Sequence, residues 1–577
     1  MRQGNGRLWG DAGFAVHANG TVADAIAAVL KREGVDVVFG YPRNQVLEAC
    51  ARIDIRTVIV RQERTGLHMA DALSRMSKGA RMGVFVMQQG PGAENAMGGV
   101  AQAFADSVPV LVMPQGYSLS QAYVPYNFNS VRSMASIAKH AEPLTSPGDV
   151  VPVLRRAFAM LRNGRPQPVV IELPYDVLAM PFEGELAYAP GKVVISQPAQ
   201  ADIDAAAEAL IAADNPAIYA GQGVHWAEAY EELRALAEHL AIPVMTSLPG
   251  KSCFDETHPL ALGSGGNGIN GGVRKWLDEC DVLFGVGCSF TATSFGLAIP
   301  PGKRVIHATL DPLDIDKSVP SELALVGDAR LTLAALLDAV KRRVPEPRDN
   351  SGVAAKIKAV EAEWFAKWRA KCTQETSPLS PYRVLWDLQQ TVDVANTIIT
   401  HDAGSPRDQL VPFWKSVSPH GYIGWGKSTQ LGYGLGLAMG AKLACPDKLC
   451  INVWGDAAIG FTGTDLETAA REGIPILSIL LNNQAMAIEL PVMPVATTKY
   501  RATDISGDYA AFARSLGCHG ERVTEAAEVV PALRRALAAI EAGRPALVEF
   551  ITEQETVISH GYCPRPIRNG LLTTLPP

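Results

Sequence analysis

Residues 449–483 read LCINVWGDAAIGFTGTDLETAAREGIPILSILLNN. The apolar run Leu449–Trp454 has the length of a strand and ends in Gly455-Asp456. Thr464–Glu472 carries a helical pattern, Ile474–Leu481 is a second apolar run, and Asn482-Asn483 comes straight after it. Successive parallel strands joined by a right-handed crossover tend to be neighbours. Asp456 and Asn483 are therefore expected side by side at the carboxyl edge of a sheet, where open α/β folds bind ligands. A carboxylate and an amide oxygen, 27 residues apart, suit a hard cation that keeps other positions for phosphate oxygens. Gly455 lets backbone approach such a ligand closely. The residues alone lead to a Mg²⁺-phosphate site. A plain turn-forming aspartate at a strand end stays open beside it.

Outward from this stretch, short apolar runs alternate with Ala/Leu-rich helical stretches along nearly the whole chain, the βαβ pattern of parallel sheets covered by helices. We expect an α/β chain of three doubly wound parallel-sheet domains, at residues 21–182, 201–340 and 382–577. Strands are expected at Val35–Phe39, Thr57–Val60, Gly83–Met87, Val108–Met113 and Pro168–Leu173 in the first. The second has them near Ala217–Ala220, Val282–Gly285 and Arg304–Thr309. Pro181–Gln200 and the stretch from Val353 to Pro381 read as connectors. The length, 577 residues, fits several domains. A net charge of −7 gives no reason to expect nucleic acid or an anionic membrane as partner. No apolar run approaches the roughly 18 residues of a membrane span, and Met1–Gly20 lacks the apolar segment of a signal peptide. Nine cysteines without a CxxC pair point to a reducing, cytoplasmic setting.

The motif residues carry a resemblance. Gly455-Asp456-Ala457 through Leu481-Asn482-Asn483 resembles the thiamine diphosphate motif, usually GDG followed by NN, of the acetolactate synthase and pyruvate decarboxylase superfamily. Arg61-Gln62-Glu63 is similar to that family's strand-end glutamate. Gly90-Pro91-Gly92-Ala93-Glu94-Asn95, Asp106-Ser107-Val108-Pro109-Val110 and Leu431-Gly432-Tyr433-Gly434 resemble further landmarks, in the right order. There are departures. Ala457 replaces a glycine, Thr429 stands where a glycine is usual, Gln88-Gln89 differs from acetolactate synthases, and the paired histidines of pyruvate decarboxylases are missing.

The resemblance implies thiamine diphosphate and Mg²⁺ as cofactors. Glu63 would hydrogen-bond the pyrimidine ring and promote its activating tautomer. Asp456, Asn483 and the carbonyl of Ala485 would hold the metal. Gly455, Ala457 and Ile488 would adjoin the cofactor, and Leu431 would force its bent shape, with plain core packing as the alternative for a leucine. Glu489 resembles the proton-donating acid of pyruvate-decarboxylase-like members; an apolar setting among Met486, Ile488 and Leu490 would raise its pKa, and a solvated helix face is the alternative. On the strength of Glu489, a 2-oxo acid decarboxylase or lyase is the first expectation. A carboligase of acetolactate synthase type, a 2-hydroxyacyl-CoA lyase and, remotely, a non-catalytic nucleotide-binding homologue stand as alternatives. The substrate would be a small 2-oxo acid or 2-hydroxyacyl compound, and the assembly a homodimer or homotetramer. FAD or ADP is a further candidate for the central domain, with Asp311 as its ribose contact. Gly263-Ser264-Gly265-Gly266-Asn267-Gly268 fits GxGxxG but reads as a loop. The Pro-rich, basic segment His560–Arg568 is a candidate lid.

Overall fold

The computed structural model describes residues 20–293 and 296–559; the candidate lid lies outside them. It contains three six-stranded sheets in which every pairing between named strands is parallel. The first holds β1 (Val37–Gly40), β2 (Arg56–Ile59), β3 (Gly83–Met87), β4 (Val110–Gly116), β5 (His140–Pro143) and β6 (Val169–Pro174), in the order β2-β1-β3-β4-β6-β5. The second holds β7 (Ala217–Ala220), β8 (Val244–Thr246), β9 (Ala261–Ser264), β10 (Val282–Val286), β11 (Arg304–Thr309) and β12 (Leu323–Val326), in the order β12-β11-β10-β7-β8-β9. The third holds β13 (Thr397–His401), β14 (Tyr422–Ile423), β15 (Leu449–Gly455), β16 (Leu477–Asn482), β17 (His519–Val523) and β18 (Ala546–Ile551), in the order β14-β13-β15-β16-β18-β17. Helices cover both faces, so inner strands such as β3, β4, β6 and β16 are buried along their whole length. That is why they read as continuous apolar runs rather than alternating ones.

The three-sheet α/β architecture agrees with expectation, while several element boundaries move. The second strand of the decisive stretch starts at Leu477, not Ile474. Gly473 takes a left-handed φ of 64° after the preceding helix, and Pro475 has no N–H to give to a ladder. The crossover between β15 and β16 is a helix Asp456–Thr462, a 3₁₀ turn Gly463–Asp465 and a helix Leu466–Arg471, where one helix was expected. Asp465 shapes this turn, accepting the Arg61 N–H at 2.7 Å and the Thr468 hydroxyl at 2.8 Å. Strands β5, β8, β9 and β12 had no clear sequence signal; each has only three or four residues. Gly263 and Ser264, expected in a loop, belong to β9 at a register shift. Among the described residues, no helix is long and apolar enough to cross a membrane.

The first and third sheets are joined by two helices, Glu63–Met76 and Tyr433–Ala444, which pack through glycine. A Cβ on Gly436 would lie 2.4 Å from His68 Cβ and 2.8 Å from Thr65 O. One on Gly440 would lie 2.3 Å from Met69 O and 2.8 Å from Met69 Cα. A single apolar core runs through this contact, from Phe39, Leu67, Met69 and Phe85 to Leu435, Met439 and Trp454. Within it, Asp71 accepts hydrogen bonds from Arg75 Nε at 2.5 Å and the Tyr433 hydroxyl at 2.7 Å, and Arg75 also donates to Gly424 O. The contact predicts a sign. Helix propensity alone makes Gly440→Ala stabilising by up to about 1 kcal/mol. Backbone overlap makes it destabilising by about 1–3 kcal/mol. Thermal melts should show a lower Tm for Gly440→Ala; an unchanged or higher Tm would refute backbone-to-backbone packing.

Candidate active site

Register brings the sequence-marked residues to one edge. Gly455 pairs with Leu481 in the β15–β16 ladder, so Asp456 and the Asn482-Asn483 turn leave the sheet together. Asp456 opens its helix and is buried. Its Oδ1 accepts the Ala457 N–H at 2.9 Å, and the Gln484 and Ala485 amides also face the carboxylate. Burial outweighs these donors and pushes its pKa up to about 6. Asp456 Oδ2 is buried without a hydrogen-bond partner, an unspent oxygen of the kind a cation would take. Asn483 is half-buried, with Oδ1 accepting the Ala485 N–H at 3.0 Å. Among the described residues there is no cluster of three or more His, Cys, Asp or Glu fit for a metal. One carboxylate with one amide oxygen suits Mg²⁺, which usually keeps waters and substrate phosphates in its other positions. The donor set therefore fits the implied metal.

Asn482, the first of the pair, has a different task. Its Nδ2 donates to buried Glu549 Oε1 at 2.7 Å, while Glu549 also accepts from Ala510 N–H and Arg522. It ties β16 to β18 and leaves the edge to Asn483.

Leu431 precedes Gly432, whose left-handed φ of 85° opens the glycine helix. Its segment is fastened from both sides. From the first domain, Asp106 accepts the Gly426 and Lys427 N–H groups and Gln102 Oε1 accepts the Gln430 N–H at 3.0 Å. From the third, Thr462 donates to Gly432 O at 2.8 Å. Asp402, just past β13, accepts from Ala403, Gly432 and Gly434 N–H groups at 2.8, 2.9 and 3.0 Å. Asp402 is fully buried and its pKa is pushed up to about 7 by desolvation against those three donors. Sequence reading missed Asp402; its one available signal was a strand-end aspartate in His401-Asp402-Ala403-Gly404. Thr429, the departure from glycine, holds a left-handed φ of 56°. A β-branched residue there is strained, a state that persists only where its surroundings impose it.

Glu63 starts its helix beyond β2 and is buried. Asn95 Nδ2 donates to its Oε2 at 3.2 Å, and Oε1 lies 3.4 Å from where a Cβ on Gly92 would stand. A larger residue at Gly92 would crowd the carboxylate. Burial raises its pKa, with its own amide, Asn95 and Arg64 opposing. No hydrogen bond links Glu63 directly to Asp456, Asn483 or Leu431; the nearest tie is indirect, through Arg61 to Asp465 and Arg64 over the Phe461 ring.

Two expectations change. Glu489 does not sit in an apolar pocket: its side chain is exposed in this chain, because the turn around it hydrogen-bonds to itself through Glu489 N–H to Met486 O and Met493 N–H to Glu489 O. Its neighbour Ile488, 37% exposed, instead approaches Gly404 and lines a large cavity. Asp311, the expected ribose contact, is engaged by Arg165 of the first domain at 2.7 Å.

That cavity, about 2220 Å³, opens at the carboxyl ends of the middle sheet. Counted along the chain from β7, this sheet has the order 3-2-1-4-5-6, the doubly wound order of dinucleotide-binding folds. Gly221, Gly223 and Gly287 meet at its switch point, where a Cβ on Gly221 would lie 2.3 Å from Gly287 O. The far wall comes from Trp425–Lys427 and from Ala487, Ile488 and Pro491, past the Asn483 turn.

Comparison with known proteins accords with this arrangement. Residues 20–132 match the family model "Thiamine pyrophosphate enzyme, N-terminal TPP binding domain", residues 203–336 the central domain and residues 402–550 the C-terminal TPP binding domain. The chain is 30% identical to a probable acetolactate synthase large subunit of Methanocaldococcus jannaschii, over 92% of each chain. It is 31% identical to the acetolactate synthase large subunit of Corynebacterium glutamicum, over 93% of this chain and 88% of that one. It is 30% identical to the isozyme 3 large subunit of Escherichia coli, over 81% and 83%.

Two predictions follow from the geometry. Asp456→Ala should weaken thiamine diphosphate binding by at least the roughly tenfold to hundredfold lost when even a supporting partner of a metal ligand is removed; wild-type affinity by calorimetry would reject the metal site. For Asp402, the folded pKa of about 7 lies above the ordinary 3.8. The folded state thus holds a proton that the unfolded chain has lost between these values, and this group's contribution falls as pH rises from about 4 to 7. In thermal melts without cofactor, the margin of wild type over Asp402→Asn should narrow across that range. A constant margin would mean that Asp402 titrates normally.

Proposed function

That the chain belongs to the thiamine pyrophosphate enzyme family is the premise from which we propose a carboligase of acetolactate synthase type. In this reading one 2-oxo acid loses CO₂ and its remaining acyl carbon is joined to the carbonyl carbon of a second. The observation that carries it is the near full-length likeness to acetolactate synthase large subunits at about 30% identity. The preference for a decarboxylase rested on Glu489 as a proton donor in an apolar pocket; Glu489 is exposed in the single chain, and the likeness to acetolactate synthase large subunits favours the carboligase instead.

Thiamine diphosphate, bound with a divalent metal, supplies the carbanion and electron sink of such chemistry. Asp456, Asn483 and the Ala485 carbonyl would hold Mg²⁺ against the diphosphate, with Gly455 and Ala457 leaving room for it. Leu431 would support the pyrimidine side, positioned by Asp402 and the Thr462–Gly432 bond. Glu63, its carboxyl favoured in the protonated form by burial, would exchange a proton with the pyrimidine ring. Ile488 would border the substrate, a small 2-oxo acid. A homodimer or homotetramer supplies facing domains from two copies; exposed Tyr123, Val124 and Tyr126 in the first and Val492 and Tyr500 in the third are apolar surface that a second copy would cover. The strand order of the middle sheet supports a nucleotide such as FAD or ADP there.

Incubation of the holoenzyme with pyruvate should release CO₂ and form acetolactate, identified by NMR. Acetaldehyde as the main product would restore the decarboxylase reading, and cleavage of 2-hydroxyacyl-CoA without turnover of pyruvate would favour the lyase. In parallel, Glu63→Gln should slow hydrogen–deuterium exchange at thiazolium C2 by orders of magnitude; unchanged exchange would remove Glu63 from activation.

A further inference from the structure

Four cationic side chains line the 2220 Å³ cavity among the described residues: Lys78, Arg162, Arg165 and Lys427. Three are compensated. Lys78 pairs with Glu228, Arg162 with Glu33, and Arg165 with Asp311 and Asp314. The cavity's carboxylates are likewise occupied. Asp408 holds Arg407 and Asn267, and Asp328 caps the helix Ala329–Arg343. Lys427 differs. Among the described residues, its ammonium makes one hydrogen bond, to the neutral Ser289 hydroxyl at 3.2 Å, and no ion pair with a carboxylate. Asp106 lies nearby but accepts the Lys427 backbone N–H, not its ammonium.

This charge is held in place. Asp106 and Gln102 fasten its segment to the first domain, and Ser289, beyond the end of β10, positions its head group beside the switch point. Burial pulls its pKa below the ordinary lysine value, aided by the nearby cations Arg165 and Lys317 and opposed at longer range by Asp106 and Asp314. A half-buried cation with no direct ion pair among the described residues has lost part of its hydration and gained little in exchange. An oxyanion entering the cavity would restore that loss through a charge-assisted hydrogen bond.

We propose that Lys427 is the anion-binding residue of this cavity, receiving an oxyanion of a small-molecule ligand. Two sources carry the same chemistry: the carboxylate of a 2-oxo acid arriving past Ala487 and Ile488, and a phosphate of a nucleotide lying on the middle sheet. The single uncompensated charge matches one oxyanion; a full diphosphate would need further donors, such as the amides near Gly221 and Gly223. The carboxylate source rests on the proposed reaction, whereas the phosphate source does not.

The test uses the holoenzyme and two probes, ADP and oxamate, an isostere of pyruvate that cannot lose CO₂, titrated by calorimetry against wild type, Lys427→Gln and Lys427→Arg. Loss of one charge-assisted hydrogen bond should weaken binding by about tenfold or more. A weakened oxamate affinity with intact ADP binding identifies a carboxylate, the reverse identifies a phosphate, and Lys427→Arg should restore most of either. Kinetics add a second readout, since KM for pyruvate should rise in Lys427→Gln with kcat little changed if the carboxylate is held. Wild-type affinity for both probes in Lys427→Gln overturns the proposal, as does a wild-type protein that binds neither, or a Lys427→Arg variant as weak as Lys427→Gln. Binding is measured without turnover, so absence of acetolactate would sink the proposed reaction and leave the role of Lys427 to be judged separately.

Discussion

Two helices touching through glycine hold the first and third sheets of this molecule in register. Gly436 and Gly440 let the Tyr433 helix lie against the backbone of the Glu63 helix at His68 and Met69. One of these helices begins with the glutamate of the first domain, and the other begins just after Leu431. The spacing of the two candidate cofactor elements in a chain therefore depends on an approach that a single methyl group would prevent. Dispersion falls off over fractions of an ångström, so close backbone contact over several turns supplies both adhesion and precision of placement. The buried Asp71–Arg75–Tyr433 network sits in the same contact. Buried ion pairs add little net stability but penalise other arrangements, since a slip along the helix axis would strand a charge.

Desolvation is the common electrostatic theme. Glu63, Asp402 and Asp456 all have raised pKa values, with burial the largest cause in each. The compensation differs. Asp402 spends its carboxylate on three backbone amides and so is a clamp for the Leu431 segment. Asp456 keeps one oxygen unspent at the sheet edge. Glu63 retains a single side-chain donor, Asn95. Three buried carboxylates thus differ in how much of their hydrogen-bonding capacity the fold leaves free.

The first and third sheets share one strand order, whereas the middle sheet has another. The shared order places Glu63 and Asp456 after outer and inner strands of sheets of the same design, β2 and β15. The middle sheet's order instead creates a switch point between β7 and β10, where its glycines meet and the large cavity opens. Three superficially similar βαβ blocks therefore present two kinds of edge.

The alternation of apolar runs and helical stretches determined the α/β class, because strands buried on both faces must be continuously apolar. Asp456 and Asn483 alone led to a Mg²⁺-phosphate site, since strand-end chemistry is local; the cofactor class came from the resemblance of their motif, with Glu63 and Leu431, to a known family. Local patterns also misled where tertiary forces prevailed. The short strands β5, β8, β9 and β12 went unread although β1, β2 and β7 of similar length were expected, and Pro475 delayed a strand that hydropathy alone would have started earlier. Glu489 looked apolar from its neighbours, yet its self-bonded turn faces it outward. Asp402, Asn482 and Lys427 lay beyond reach for one reason: whether a polar side chain clamps a turn, joins two strands or stands uncompensated depends on partners tens to hundreds of residues away. The sequence by itself determined which groups can donate, accept or carry charge; only the tertiary structure decided which of them were already satisfied.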